Sequence, residues 1–322
     1  MTGPQQNAGW CGHMFGLGVQ SSFPLAGCEQ GALPPELPCT RVQTAKRHVV
    51  LGALPMDAEP IGWRTAPDGR KIPDVLSHPD AGYRLPAPGF GTFHVSAAGT
   101  SVLAAPNAVS DWRWQRYLIG RVLPFAALLQ GLEPLHACAV ATPSGAAVLL
   151  AGEPGAGKST LAAELMLAGL RFVADDVVAL GCQDGAVHAH PGAGLISLRR
   201  VTVSRLGAAA VRRLGGRVGA DAHGVRLAVA RVGRALPVAA IYFLTASAPG
   251  PAERRADGPA RLLGSTFNAI VRDPARVLRQ LDVCATIART ASMTDLPRVI
   301  GGDSSGLVER VLNDLDLART AR

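Results

Sequence analysis

The spacing of apolar and polar residues changes character along the chain, and the elements it predicts change with it. Over residues 1–100 the apolar runs are short, and 16–19, 47–54 and 92–95 read as strands set apart by loops rich in Pro and Gly. Between 55 and 88 stand Pro60, Pro67, Pro73, Pro79 and Pro86, too many breakers for long regular elements, so wrapped loop is expected there. Near Trp112 the texture shifts: 114–130 (WQRYLIGRVLPFAALLQ) carries apolar residues at helical spacing, with Pro124 placed to bend or divide the helix. The spacing then predicts strand 147–150, helix 159–168, strands 171–174 and 177–180, a strong strand 238–244, and helices over 259–270, 274–291 and 307–320. That order is an α/β domain at 111–322 preceded by a small β-rich N-terminal lobe at 1–110.

Composition supports a packed globule, with 48% hydrophobic and 17% charged residues in 322. No stretch reaches the roughly 18 uncharged apolar residues of a membrane helix, and the start, MTGPQQNAGWCGHMFG, lacks a basic segment followed by an apolar one. The expectation is a cytoplasmic protein with no membrane partner. The formal charge of +8 is almost wholly arginine, since the lysines are Lys46, Lys71 and Lys158. A basic strip runs from Arg199 to Arg234, opposed only by Asp221, and reads as a solvated face or a draw for an acidic partner. Nucleic acid is disfavoured, because few aromatics interleave with these arginines to stack on bases. Cys11, Cys28, Cys39, Cys138, Cys182 and Cys284 show no CxxC pair and no zinc spacing, and read as reduced, scattered thiols. His13, His48, His78, His94, His188, His190 and His223 form no ligand set, although His188 and His190 alternate on one strand face.

One segment carries chemistry on its own. GEPGAGKS, 152–159, follows the apolar strand AAVLL and precedes the helix STLAAELMLAG, where main-chain N–H groups and a helix N-terminus converge on an anion. Gly152, Gly155 and Gly157 let the backbone turn tightly and approach phosphate oxygens, while Glu153, Pro154 and Ala156 complete the loop. Lys158 reaches the outer phosphates, the Ser159 hydroxyl can ligate magnesium, and Thr160 assists from the helix start. Directly after the next strand come Asp175 and Asp176, and a strand end beside such a loop faces the phosphates. Neighbouring strand residues point opposite ways, so one carboxylate can face magnesium and the other an incoming hydroxyl. Which does which stays open from the residues alone. His136, in EPLHACAV, precedes the strand that enters the loop and can lie at its rim.

In this order and spacing, over 135–180, the chain resembles the HPr kinase family: a histidine before the strand, GxxGxGKS, a short helix, Gly169, and the VADD box at 173–176. It is most similar to the HPr kinase-related branch found among genes for ribosomal peptide maturation, lasso peptides included, and FGLGVQSSFPL near the N-terminus resembles that branch as well. The resemblance implies a P-loop kinase domain whose fold is shared with phosphoenolpyruvate carboxykinase, and a serine kinase using ATP and Mg2+. By position it gives Asp175 and Asp176 the base and metal-neighbour roles between them, with Ser159 and Asp176 as the metal-side candidates, and matches His136 to the family's active-site histidine. The segment that serves dephosphorylation in bifunctional members is not found between Gly264 and Arg289. A peptide-maturation relative implies an acceptor other than HPr.

The expected activity is therefore ATP-dependent transfer to a serine hydroxyl of a protein or peptide. A small-molecule P-loop kinase, or a nucleotide-binding regulator that transfers nothing, are the alternatives. A homo-oligomer stays open.

Overall fold

The computed structural model describes residues 9–66, 68–222, 224–246, 258–267, 270–298 and 305–320; Pro67 and His223 lie outside them. Contacts along the chain divide it into two units, Met1–Pro134 with Asn268–Arg279, and Leu135–Phe267 with Gln280–Arg322. It is a mixed α/β protein with several sheets.

The first unit holds β1 (Trp10–Met14), β2 (Leu17–Ser21), β3 (Cys39–Thr44), β4 (Glu59–Thr65), β5 (Lys71–His78), β6 (Gly82–Ala87), β7 (Gly91–Val95) and β8 (Ser101–Pro106). They form one sheet in the order β1-β2-β3-β8-β7-β6-β5-β4. β1 and β2 meet through Phe15 and Gly16, both left-handed at φ 56° and 73°, the turn whose twist matches that of the paired strands. Alternating inward positions such as Leu17 and Val19, Phe93 and Val95, and Val102 and Ala104 are fully or almost fully buried.

Two expectations fail in this unit. The run 47–54 is not a strand: Arg47–Gly52 is a short helix, α1, with Val50 buried while Val49 and Leu51 are 44% and 39% exposed. The β-branched pair suggested a strand, but only one of every three or four side chains here has a core to enter. Nor is 55–88 loop, since it supplies β4, β5 and β6. The prolines are accommodated by position. Pro60 sits on the edge strand β4 beside a register shift, and Pro86 lies beyond Arg84, the last β6 residue that β5 pairs with. Pro79 is in the turn between β5 and β6.

The helix expected over 114–130 is divided as its proline suggested. α2 (Asp111–Tyr117) passes through one π-helical stretch, Leu118–Val122, into α3 (Leu123–Leu129), with Pro124 in the first turn of α3. The Leu123 N–H reaches back five residues to the Leu118 carbonyl, so the wider turn absorbs the missing donor. Its aromatic neighbours fix the face it buries: Phe125 packs edge-on against Tyr83 at 5.0 Å between centroids, and Tyr117 stacks on Phe93 at 5.4 Å.

The second unit begins within β9 (Glu133–Leu135) and continues through β10 (Ala137–Ala141), β11 (Ala147–Gly152), α4 (Lys158–Leu167), β12 (Arg171–Ala174), β13 (Val178–Gln183) and β14 (Ala186–His190). Then come β15 (Leu195–Arg199), α5 (Arg200–Leu214), β16 (Gly216–Ala220), β17 (Gly224–Ala228), β18 (Leu236–Ala246), α6 (Gly258–Gly264), α7 (Pro274–Thr290), β19 (Ser292–Arg298) and α8 (Ser305–Thr320). α7 starts in the first unit and ends in the second. The main sheet runs β12-β10-β11-β18-β14-β13, with β19 also along β18, and β15-β17-β16 form a separate small sheet. β11, β18 and β19 are parallel, whereas β10 runs antiparallel to both β11 and β12. The expected helix over 259–270 ends early, at Gly264; β14 is the strand on which His188 and His190 were expected to alternate, while β15 to β17, β19 and α5 were not expected from the sequence.

β11 is apolar throughout because both its faces are covered. Ala147, Leu149 and Ala151 pack with Leu262, Val283 and Ile287 on one side. Val148 and Leu150 pack with Leu161, Leu165, Ile196 and Leu198 on the other.

Within the first unit, Glu133 and Arg276 form an ion pair with side chains 0% and 4% exposed, Nη2 to Oε1 at 2.6 Å and Nε to Oε2 at 3.4 Å. Burial pushes the Glu133 carboxyl above its usual range even with the guanidinium beside it. Arg276→Met should therefore strand a dry carboxylate and cost about 3–5 kcal/mol at pH 7. An unpaired Glu133 takes up a proton more readily folded than unfolded, so the deficit should shrink as pH falls. Urea unfolding of the variant at pH 7 and pH 5 measures both.

Candidate functional site

The antiparallel insertion of β10 decides what can meet. Because β10 runs against β11 and β12, its first residues lie at the sheet end where β11 and β12 finish. Ala137 pairs with Ala151 and Ala139 with Ala174, so His136 and Cys138 arrive beside the loop 152–159 and beside Asp175 and Asp176.

The loop itself needs its glycines. Gly152, Gly155 and Gly157 adopt φ 143°, 89° and 97°, and a Cβ on Gly152 would stand 2.6 Å from the Leu244 carbonyl oxygen of the neighbouring parallel strand. Gly157 caps α4 in the left-handed conformation, which puts Lys158 at the first helical position. The Lys158 side chain turns back over the loop. Its Nζ donates to the Gly152 carbonyl at 2.7 Å and the Glu153 carbonyl at 3.3 Å, and lies 3.1 Å from His136 Nε2. An ammonium only donates, so Nε2 accepts and the ring carries its proton on Nδ1, which donates to the Asp176 carbonyl at 2.9 Å. Lys158 is 7% exposed, and burial lowers its pKa below the ordinary 10.5 despite the carboxylates of Asp176, Asp175 and Glu153 nearby.

The two aspartates part company. Asp175 Oδ1 accepts the Ser159 hydroxyl at 2.7 Å and the Cys138 thiol at 2.8 Å, and Oδ2 accepts the Ser197 N–H at 2.9 Å. Burial raises its carboxyl above the ordinary 3.8 in spite of these donors. The Cys138 thiol is pushed well above its usual range, first by its own burial and then by Asp175. Asp176 instead takes a left-handed backbone at φ 69°, a conformation aspartate tolerates, and its side chain is 65% exposed with Oδ1 3.3 Å from His136 Nδ1. The Thr160 hydroxyl is 3.0 Å from that of Thr202 on α5. Glu153, Pro154 and Ala156 lie in the loop, with the Ala156 N–H bonded to the Glu153 carbonyl.

Sequence reasoning missed three contributors. Cys138 was read as one of several reduced, scattered thiols, although it is the second residue of β10, two positions beyond His136. Ser197 and Arg199 belong to β15, whose approach to the loop nothing local announces. A Cβ on Gly155 would lie 3.1 Å from Arg199 Nη2.

The Ser159 hydroxyl and Asp175 carboxylate fit magnesium, which takes hard oxygen donors and keeps several waters and phosphate oxygens besides.

No protein family matches the chain by sequence, and no curated protein does. Among solved structures, the Hpr(Ser) kinase/phosphatase from Coxiella burnetii matches over 58% of this chain and 98% of that one, at 16% sequence identity and a TM-score of 0.33. So loose a likeness carries nothing about fold or activity. Among the described residues, no helix is long and apolar enough to cross a membrane.

Gly152→Ala should destabilise the protein by about 1–3 kcal/mol, because strain and a collision with the Leu244 carbonyl coincide. Gly169→Ala, with φ 109° but open space around its Cβ, should lose less. Chemical denaturation of the two variants side by side tests the difference.

Proposed function

We propose that the protein is an ATP- and Mg2+-dependent kinase, similar to HPr kinases, that transfers the γ-phosphate to a serine hydroxyl of a protein or peptide. The observation that carries this reading is the division of labour between Asp175 and Asp176 around the loop that holds Lys158. Asp175 is tied to Ser159, the residue type that ligates magnesium in such loops, whereas Asp176 stands open to solvent with His136 behind it. We assign Asp175 and Ser159 to the metal side and Asp176 to the acceptor side.

ATP enters with its phosphates against the loop amides and the start of α4, where a helix N-terminus favours anions. Lys158 sets the outer phosphates in place. Ser159 and Asp175 would hold magnesium, which would supply neutralisation of phosphate charge. Asp176 takes the proton of the incoming serine hydroxyl as its oxygen bonds to the γ-phosphorus, and the bond from that phosphorus to the bridging oxygen breaks to release ADP. His136 holds the Asp176 main chain through Nδ1 and the ammonium through Nε2, so it positions both partners. Most of the catalysis is placement and charge neutralisation.

Radiolabelled ATP with serine-containing peptides tests the reading. Lys158→Ala should abolish label transfer, and unchanged turnover would contradict the assignment. Asp176→Asn keeps a side chain that tolerates the left-handed turn, and should slow transfer about 10²–10⁴-fold while leaving Mg-ATP binding near that of the wild type. Wild-type protein that binds ATP yet labels no peptide, with both aspartates dispensable for binding, would mark a nucleotide-dependent regulator instead.

The pH dependence should be narrowed from both sides. Asp175 works as a carboxylate, and its raised pKa means that protonation on acidification begins above the ordinary 3.8. Lys158 works as an ammonium, and its lowered pKa means that charge is lost below the ordinary 10.5 as pH rises. The profile of kcat/KM, which reports the free enzyme, should show both limbs displaced inward.

A further inference from the structure

We propose that Arg199 is a second cation for the outermost phosphate of the bound nucleotide, the residue by which the site tells a triphosphate from a diphosphate; this rests on the nucleotide-binding reading above. Four observations converge on it.

Position comes first. Arg199 ends β15 and its Nη2 would be 3.1 Å from a Cβ on Gly155, so the guanidinium stands directly against the turn of the phosphate loop, in space that the glycine leaves open.

The second observation is what holds it. Ile196 and Leu198 are buried beneath β15, while Ser197 and Arg199 are exposed on the opposite face. The Ser197 N–H donates to Asp175 Oδ2 at 2.9 Å. That bond pins the strand to the site, and two residues further along the same face comes Arg199. Across the register Ser197 pairs with Arg226, whose Nε donates to the Ser197 hydroxyl at 3.2 Å, so a further positive charge backs this face.

Third, the obvious cation is already engaged. The three protons of the Lys158 ammonium are matched by three acceptors, the carbonyls of Gly152 and Glu153 and the ring of His136. A polyanion must draw that ammonium away from part of this set, and a separate guanidinium offers charge without such an exchange. Fourth, among the described residues the Arg199 guanidinium has no hydrogen-bond or ion-pair partner. Its planar fork matches two phosphate oxygens at once, and the outermost phosphate is the most highly charged and the most open to a residue arriving from beside the loop.

Titration calorimetry with Mg-ATP and with Mg-ADP, on wild type, Arg199→Gln, Arg199→Lys and Arg200→Gln, tests this. Arg199→Gln removes an exposed side chain and should melt at the wild-type temperature. It should weaken Mg-ATP binding about tenfold or more and Mg-ADP binding less than about threefold. Arg199→Lys should recover part of the loss as a point charge. Arg200→Gln, whose native guanidinium is turned to the Asp221 carbonyl, should match wild type. Equal affinities of wild type and Arg199→Gln for both nucleotides overturn the role of Arg199 and leave the kinase reading standing. Equal losses for ATP and ADP overturn its assignment to the outermost phosphate. Wild-type protein that takes up neither nucleotide overturns both.

Discussion

A single ammonium group kept nearly dry is the constraint to which the rest of the second unit conforms. Lys158 is 7% exposed, and its three donors are satisfied by two carbonyls of its own loop and by His136. Two conditions must hold for those acceptors to converge. The loop must double back tightly enough for the Gly152 and Glu153 carbonyls to point inward, which requires left-handed or strained backbone at Gly152, Gly155 and Gly157. The histidine must also come from an adjacent strand at the same end of the sheet, which requires an antiparallel β10 between β11 and β12. Satisfied in this way, the cation is tolerable without a ligand, and the cost of burial still shows in its lowered pKa. The carboxylates of Asp176, Asp175 and Glu153 nearby offset part of that cost and do not cancel it.

The elements around this group were readable in the sequence to the extent that they are local. The strand into the loop, the helix after it, strand Arg171–Ala174 and the later helix from Pro274 each carry their own apolar period, and each lies within a few residues of where that period puts it. The prolines of β4, β5 and β6 misled because a proline forbids a ladder bond only where a neighbouring strand asks for one, and neighbours are long-range facts. The reading of 47–54 failed for a related reason. Val49 and Val50 have the propensity of a strand, and only the available core shows that one of them is turned outward.

Within the site the same boundary falls between what is adjacent along the chain and what is brought together by register. Lys158, Ser159 and the glycines are one contiguous motif. Cys138 reaches Asp175 only because Cys138 pairs with Leu150 while Ala139 pairs with Ala174, two alignments that no window of sequence contains. Ser197 and Arg199 come from a strand of a different sheet. Their residue types are ordinary, and their importance is positional.

The acidic pair makes the distinction sharpest. Strand alternation would send Asp175 and Asp176 to opposite faces and leave their roles interchangeable. Strand β12 in fact ends at Ala174, so both aspartates lie past the pleat, and what separates them is the left-handed turn at Asp176. That turn aims the Asp176 carbonyl at His136 and leaves its carboxylate outside, while Asp175 is drawn in among a hydroxyl, a thiol and a main-chain N–H. The asymmetry is set by one backbone angle rather than by the pleat, and aspartate is among the few non-glycine residues that accept that angle readily. The second position of the pair is thus constrained twice, by the carboxylate it presents and by the conformation it must hold.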